Sequence, residues 1–165
     1  MITSIIFDFD GVFTDNFVYS DSTGGEMVRT SRSDSYQLSL FKKFIQDNNL
    51  EIDLFILSTE SSRVVKKRAE KLGLKVYQGI SNKKEFLQNL FNKSGKMNWK
   101  GVAYLGNDLN DLECMKLAGY SFCPNDAHPL VKKASKYVFD SVGGDGFVRE
   151  TLVFIQQHLS VLEVK

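Results

Sequence analysis

Asp8 and Asp10 stand two residues apart at the end of an apolar run, in the stretch IIFDFDGVFTDN (5–16). Paired carboxylates can divide labour, one attacking an electrophilic centre and the other carrying a proton. Other apolar runs also end in polar groups. Ser58-Thr59-Glu60 follow IDLFIL, Lys83 and Lys84 follow KVYQG, and Asn107-Asp108 with Asp111 follow GVAYLG. Carboxylates gathered in one crevice repel one another, and desolvation raises the cost, so such a set needs a cation. Oxygen ligands without His or Cys suit a hard ion, Mg²⁺ above all. Mg²⁺ held by a few carboxylates commonly serves phosphate groups. A lysine and a serine at neighbouring strand ends could then hold phosphoryl oxygens. One aspartate could attack phosphorus while the second carboxyl protonates the leaving alcohol and later deprotonates water.

These residues need elements to bring them together. Ser4 to Phe9, 52–58, 75–79, 101–106, 120–124 and 136–140 read as short strands, the first two apolar enough to be buried on both faces. Between them, helical spacing predicts helices over Ser35–Asn48 (Tyr36, Leu40, Phe41, Phe44, Ile45 inward), Ser61–Leu72 (Val64, Val65, Ala69, Leu72 inward), Lys83–Asn92, Leu109–Ala118, a turn begun by Pro129, and Val148–Leu159. Residues 17–20 and 26–30 flank DSTGG and read as a β-hairpin after the first strand. Alternating strands and helices predict an α/β fold with a mostly parallel sheet sandwiched by helices. Ligands of such sheets bind beyond the carboxyl ends of the strands, where the polar groups above fall.

The rest of the composition bounds the reading. With 165 residues, 42% of them hydrophobic, a single domain over 1–165 is expected. A net charge of +1 gives no electrostatic case for nucleic acid or an anionic membrane. No apolar run reaches a membrane span of about 18 residues, and the first residues lack a signal peptide's basic region, so a cytoplasmic location is expected. Cys114 and Cys123 lack a CxxC spacing and read as buried thiols.

The set DFDGVFTD, the Ser58 strand end, Lys83 and GNDLND resembles the four motifs of the haloacid dehalogenase superfamily of phosphatases. It is closer still to the subfamily acting on eight- and nine-carbon sugar acid phosphates, and to the phosphatase-like domain attached to some acylneuraminate cytidylyltransferases. YQGISNK (77–83), AYLGNDLNDLECM (103–115), DAHPLVKKAS (126–135) and GGDGFVRE (143–150) extend the resemblance over nearly the whole chain. It implies a Rossmann-like core, the hairpin (about 17–30) after the first strand, and no cap domain. It implies Mg²⁺ as cofactor, a sugar-acid phosphate as substrate, and a homotetramer whose neighbouring subunits help close each site. By motif position, Asp8 is the expected nucleophile and a metal ligand. Asp10 is the expected acid/base, lending the metal its main-chain carbonyl. Ser58 and Lys83 hold the phosphoryl group, and Asn107, Asp108 and Asp111 form the metal-side motif. Thr14, Thr59, Glu60, Lys71 and Arg149 are the candidate substrate-binding residues.

Two departures matter. Asn107 stands where most relatives have aspartate, so either the amide binds the metal without charge or Asp108 supplies the charge. Asp111 either joins them or orients other groups. STE stands where octulosonate-type enzymes usually read TGR, which favours the nine-carbon branch. Glu60 could meet a substrate hydroxyl or amine, or pair with Lys71 on the following helix. Two other readings compete with catalysis: a non-catalytic oligomerising or regulatory domain that has lost activity, and a phosphoacceptor signalling domain. Turnover fits the DxDG motif better than a stable phospho-switch does.

Overall fold

The structure is a computed structural model and describes residues 1–95 and 98–163. In chain order the elements are β1 (Ser4–Phe7), β2 (Thr14–Ser20), β3 (Glu26–Thr30), α1 (Arg32–Asp47), β4 (Asp53–Leu57), α2 (Arg63–Leu72), β5 (Lys75–Tyr77) and α3 (Lys83–Ser94). They continue with β6 (Val102–Leu105), α4 (Leu112–Leu117), β7 (Tyr120–Cys123), α5 (Pro129–Ala134), β8 (Tyr137–Val138) and α6 (Phe147–Glu163). Six strands form one sheet in the order β5-β4-β1-β6-β7-β8, every pair parallel. β2 and β3 pair separately as an antiparallel hairpin.

The central strand shows why both faces must be covered. Successive side chains of β1 point to opposite faces. Ile5 and Phe7 enter a core built with Leu38 and Phe41 of α1, Val65 and Ala69 of α2, and Leu152 and Ile155 of α6. Ile6 enters the opposite core, with Leu87 of α3, Met115 of α4 and Val131 of α5. The sheet is thus sandwiched by helices, and among the described residues only the hairpin is inserted after β1, with no cap domain.

Several elements differ in detail from the sequence reading. α1 starts three residues earlier, because Ser31 caps it by accepting from the Asp34 amide. Its buried stripe is Asp34, Leu38 and Phe41, whereas Tyr36 and Leu40 face solvent. Val64 is half-buried, because the stripe of α2 runs through Val65, Ala69 and Leu72. α4 is shorter than expected and begins at Leu112, since Leu109 to Asp111 form turns beneath the site. β8 keeps only two residues at the sheet edge. Both cysteines are buried and free. Burial and the neighbouring Asp111 push the Cys114 thiol up to about 12, so it is an inert packing group. No helix among the described residues is long and apolar enough to cross a membrane.

Candidate active site

The strand order reverses at β1. The chain leaves β1 toward β4 and β5, then returns to β6 on the other side. That switch opens a crevice beyond the carboxyl ends of the strands. It has a volume of about 460 Å³ and is lined by Asp8, Asp10, Thr59, Glu60, Asn107 and Asp108. Asn16 and Val18 of the hairpin and Leu109 and Asn110 after β6 complete the lining. Those four escaped the sequence reading. The hairpin's position signalled Asn16 and Val18, but nothing in the spacing fixed which face of β2 overhangs the crevice.

Ser58 and Lys83 lie beneath the crevice floor, outside its lining, both almost fully buried. Ser58 closes β4, and its hydroxyl accepts from the Glu60 amide at 3.0 Å. Lys83 opens α3 behind its Asn82 cap. Its ammonium lies 2.8 Å from Asp8 Oδ1 and 2.7 Å from Asp111 Oδ1. These carboxylates hold Lys83 charged and raise its pKa despite burial. Lys84, its sequence neighbour, instead faces Glu113 on the surface at 3.7 Å.

The carboxylates are short of positive charge. Burial and Asp111 push the Asp8 carboxyl well above the usual carboxylate range, and Lys83 offsets only part of this. Burial and Glu60 likewise raise Asp10, against the Thr14 hydroxyl and Lys83. Among the described residues no group of three or more His, Cys, Asp or Glu side chains could hold a metal ion. Asn107 brings an amide to this set, not a carboxylate. Its Oδ1 is buried and has no hydrogen-bond partner, a costly state unless a ligand fills it. A Cβ on Gly11 would overlap the Asn107 amide, so glycine is what lets the loop after β1 lie against it. An orphaned amide oxygen beside Asp8 and Asp10 fits a hard cation such as Mg²⁺.

Asp111 has no such free oxygen. Its Oδ1 accepts from Lys83 and from the Tyr104 hydroxyl, the latter at 2.8 Å. Its Oδ2 accepts from the Asn107 and Asp108 amides at 3.1 and 3.4 Å. Four donors engage the carboxylate, so in this structure Asp111 organises its neighbours. Tyr104 lies within β6, and no spacing signal showed its hydroxyl reaching Asp111.

The sequence model of haloacid dehalogenase-like hydrolases matches residues 25–150. The chain belongs to this family. A 3-deoxy-D-manno-octulosonate 8-phosphate phosphatase from Salmonella typhi is 33% identical over 90% of this haloacid dehalogenase-like chain and 76% of its own length. A crystal structure of such a phosphatase from Moraxella catarrhalis, in complex with magnesium, phosphate and KDO, superposes with a TM-score of 0.85. It is 29% identical and covers 94% of this chain and 86% of its own. N-acylneuraminate cytidylyltransferase A of Danio rerio is 27% identical over all of this chain, which spans 36% of that longer protein.

The remaining candidates fall away from the crevice of this haloacid dehalogenase-like core. α2 starts just past Glu60 and carries Lys71 to its last turn, about 12 Å along the axis. Lys71 there lines a separate groove with Arg63 and Lys67, and it does not pair with Glu60 within this chain. Arg149 stands in the first turn of α6 and is not part of the lining. Thr14 is fully buried, its hydroxyl engaged by the Gly11 and Asn16 amides and by Asp10, which leaves no contact for a substrate. His128 holds the loop together: its amide donates to the Asn107 carbonyl, and its ring caps α5.

Proposed function

We propose that this chain is a Mg²⁺-dependent phosphatase that removes the terminal phosphate from an eight- or nine-carbon 2-keto-3-deoxy sugar acid. The carrying observation is the buried Lys83–Asp8 pair at the floor of the crevice, in a chain whose relatives include phosphatases for such a substrate. Asp8 would attack phosphorus with its carboxylate oxygen, breaking the ester bond and forming an aspartyl-phosphate. Asp10, its pKa raised, would give its proton to the departing alkoxide. It would then take a proton from water, whose oxygen attacks phosphorus, frees Asp8 and releases inorganic phosphate. Lys83 and the Ser58 hydroxyl would hold the phosphoryl oxygens.

Asp8, the Asp10 carbonyl and Asn107 Oδ1 would hold Mg²⁺, with Asp108 adding charge. Bound there, the ion would neutralise phosphate oxygens and polarise the phosphoryl group. Glu60 lines the crevice, and among the described residues no Lys or Arg shares that lining. That favours a leaving group offering hydroxyls or an amine at this point, hence the nine-carbon branch. Phe17, Val18, Tyr19 and Met27 project from the hairpin largely exposed, which supports a homotetramer built by hairpin association; the reading takes the chain as a single domain over 1–165 and a cytoplasmic enzyme.

A non-catalytic role, suggested by Asn107 and Glu60, is disfavoured by the orphaned Asn107 oxygen and the retained Lys83–Asp8 pair. Phosphate release with Mg²⁺ from eight- and nine-carbon sugar acid phosphates tests the reading. Turnover of at least one is expected, abolished in Asp8→Asn with the unfolding temperature retained. A folded protein inert to both esters overturns it.

A further inference from the structure

Residues 143–146, the GGDG that opens the stretch before α6, lie against the backbone that follows β1. The Gly144 amide donates to the Val12 carbonyl at 3.1 Å. Gly143 packs on the Gly11 carbonyl so closely that a Cβ would overlap it. Gly144 has φ +65°, and a Cβ there would stand 2.5 Å from the Asp15 nitrogen. This loop is itself pinned. Asp126 Oδ1 accepts from the Gly143 amide at 3.0 Å. Asp34 of α1, 1% exposed, accepts from the Gly146 and Arg149 amides at 3.4 and 3.1 Å. Arg29 of the hairpin bridges Asp145 and Asp15 at 3.0 and 3.5 Å.

The backbone so clamped, 11–15, carries Thr14, and the Thr14 hydroxyl donates to Asp10 Oδ1 at 3.4 Å. No such route reaches Asp8. Its carboxylate is fixed from elsewhere, by Lys83 at 2.8 Å and the Phe9 amide at 2.7 Å. We propose that the 143–146 loop, anchored by Asp34, is a positioning device for Asp10 that aims its proton at the leaving oxygen. It acts on one of the two aspartates and leaves the other alone. The inference rests on the phosphatase reading above, with Asp10 as the proton donor.

The two aspartates can be separated by leaving group. p-Nitrophenolate departs as a stable anion and needs no proton, whereas a sugar alkoxide does. Single-turnover release, with enzyme in excess and Mg²⁺ present, isolates transfer to Asp8 for either ester. The variants are Gly144→Ala and Asp34→Asn, measured beside wild type and with their thermal unfolding. Misaiming a catalytic group by about 1 Å costs on the order of a hundredfold, so sugar acid release should fall about a hundredfold while p-nitrophenolate release stays within about threefold. Asp34→Asn leaves the backbone conformations of the loop permitted, and it decides the question if Gly144→Ala does not fold. Equal losses on both esters, or no loss on either, overturn the positioning role and leave the phosphatase reading intact. Wild type inert to both esters overturns the reading and this inference together.

Discussion

Asn107 decides how the site holds a cation. Its Oδ1 is buried without a partner, and burial has already raised the carboxyls of Asp8 and Asp10. Substituting Asn107→Asp adds a charged ligand where the amide now offers only a dipole. Ligand charge sets much of the affinity of such sites, so Mg²⁺ should bind roughly tenfold tighter by calorimetry. Unchanged or weaker binding would show that the amide is not a ligand. Asp8 and Ser58 were legible because each follows directly on an apolar strand, Asp10 because it stands two residues past Asp8, and Lys83 because it opens the helix after the next strand; strand ends point at the crevice. The partners that fix Asp111 and Thr14 were not. Motif position left Asp111 either a metal ligand or an organiser, and the two donors on its Oδ1 stand seven and 28 residues away on other elements. A spacing rule along the chain does not register such partners.

At the level of elements, helix existence followed from periodicity, whereas the buried face of α1 did not. The polar Asp34 belongs to the inward stripe because it receives amides from the start of α6. A hydrophobic count therefore rotated the helix toward Tyr36 and Leu40, which are exposed. A similar mismatch sits in α6, where Thr151 is fully buried and its hydroxyl has no partner. Burying an unpaired hydroxyl costs free energy that an apolar group of the same shape does not. Thr151→Val should accordingly stabilise the fold by about 1 kcal/mol in a denaturant titration. A loss of stability would reveal a hydrogen bond that the hydroxyl makes in solution.

Across the whole molecule, the alternation of strands and helices was enough to anticipate a parallel sheet with both faces covered and a site at its switch point. What it did not supply was the cover over that site. The hairpin leans over the crevice with Asn16 and Val18 while its other apolar side chains stay exposed. Light scattering should report a tetramer, and the double substitution Phe17→Asp with Met27→Asp should shift it to smaller species. A wild-type monomer would count against the assembly. The crevice rim also governs encounter. Its lining carries Asp8, Asp10, Glu60 and Asp108, and Lys83 beneath it is shared between Asp8 and Asp111; even with Asp10 protonated, three carboxylates face a divalent ion. An incoming phosphate ester is therefore repelled at a distance before anything recognises it. Added salt screens such repulsion within a Debye length of about 8 Å at physiological strength. Capture should then quicken with ionic strength, and kcat/KM should climb on going from low to physiological salt at saturating Mg²⁺. A fall in kcat/KM over that range would show instead that the net field at the crevice attracts the ester.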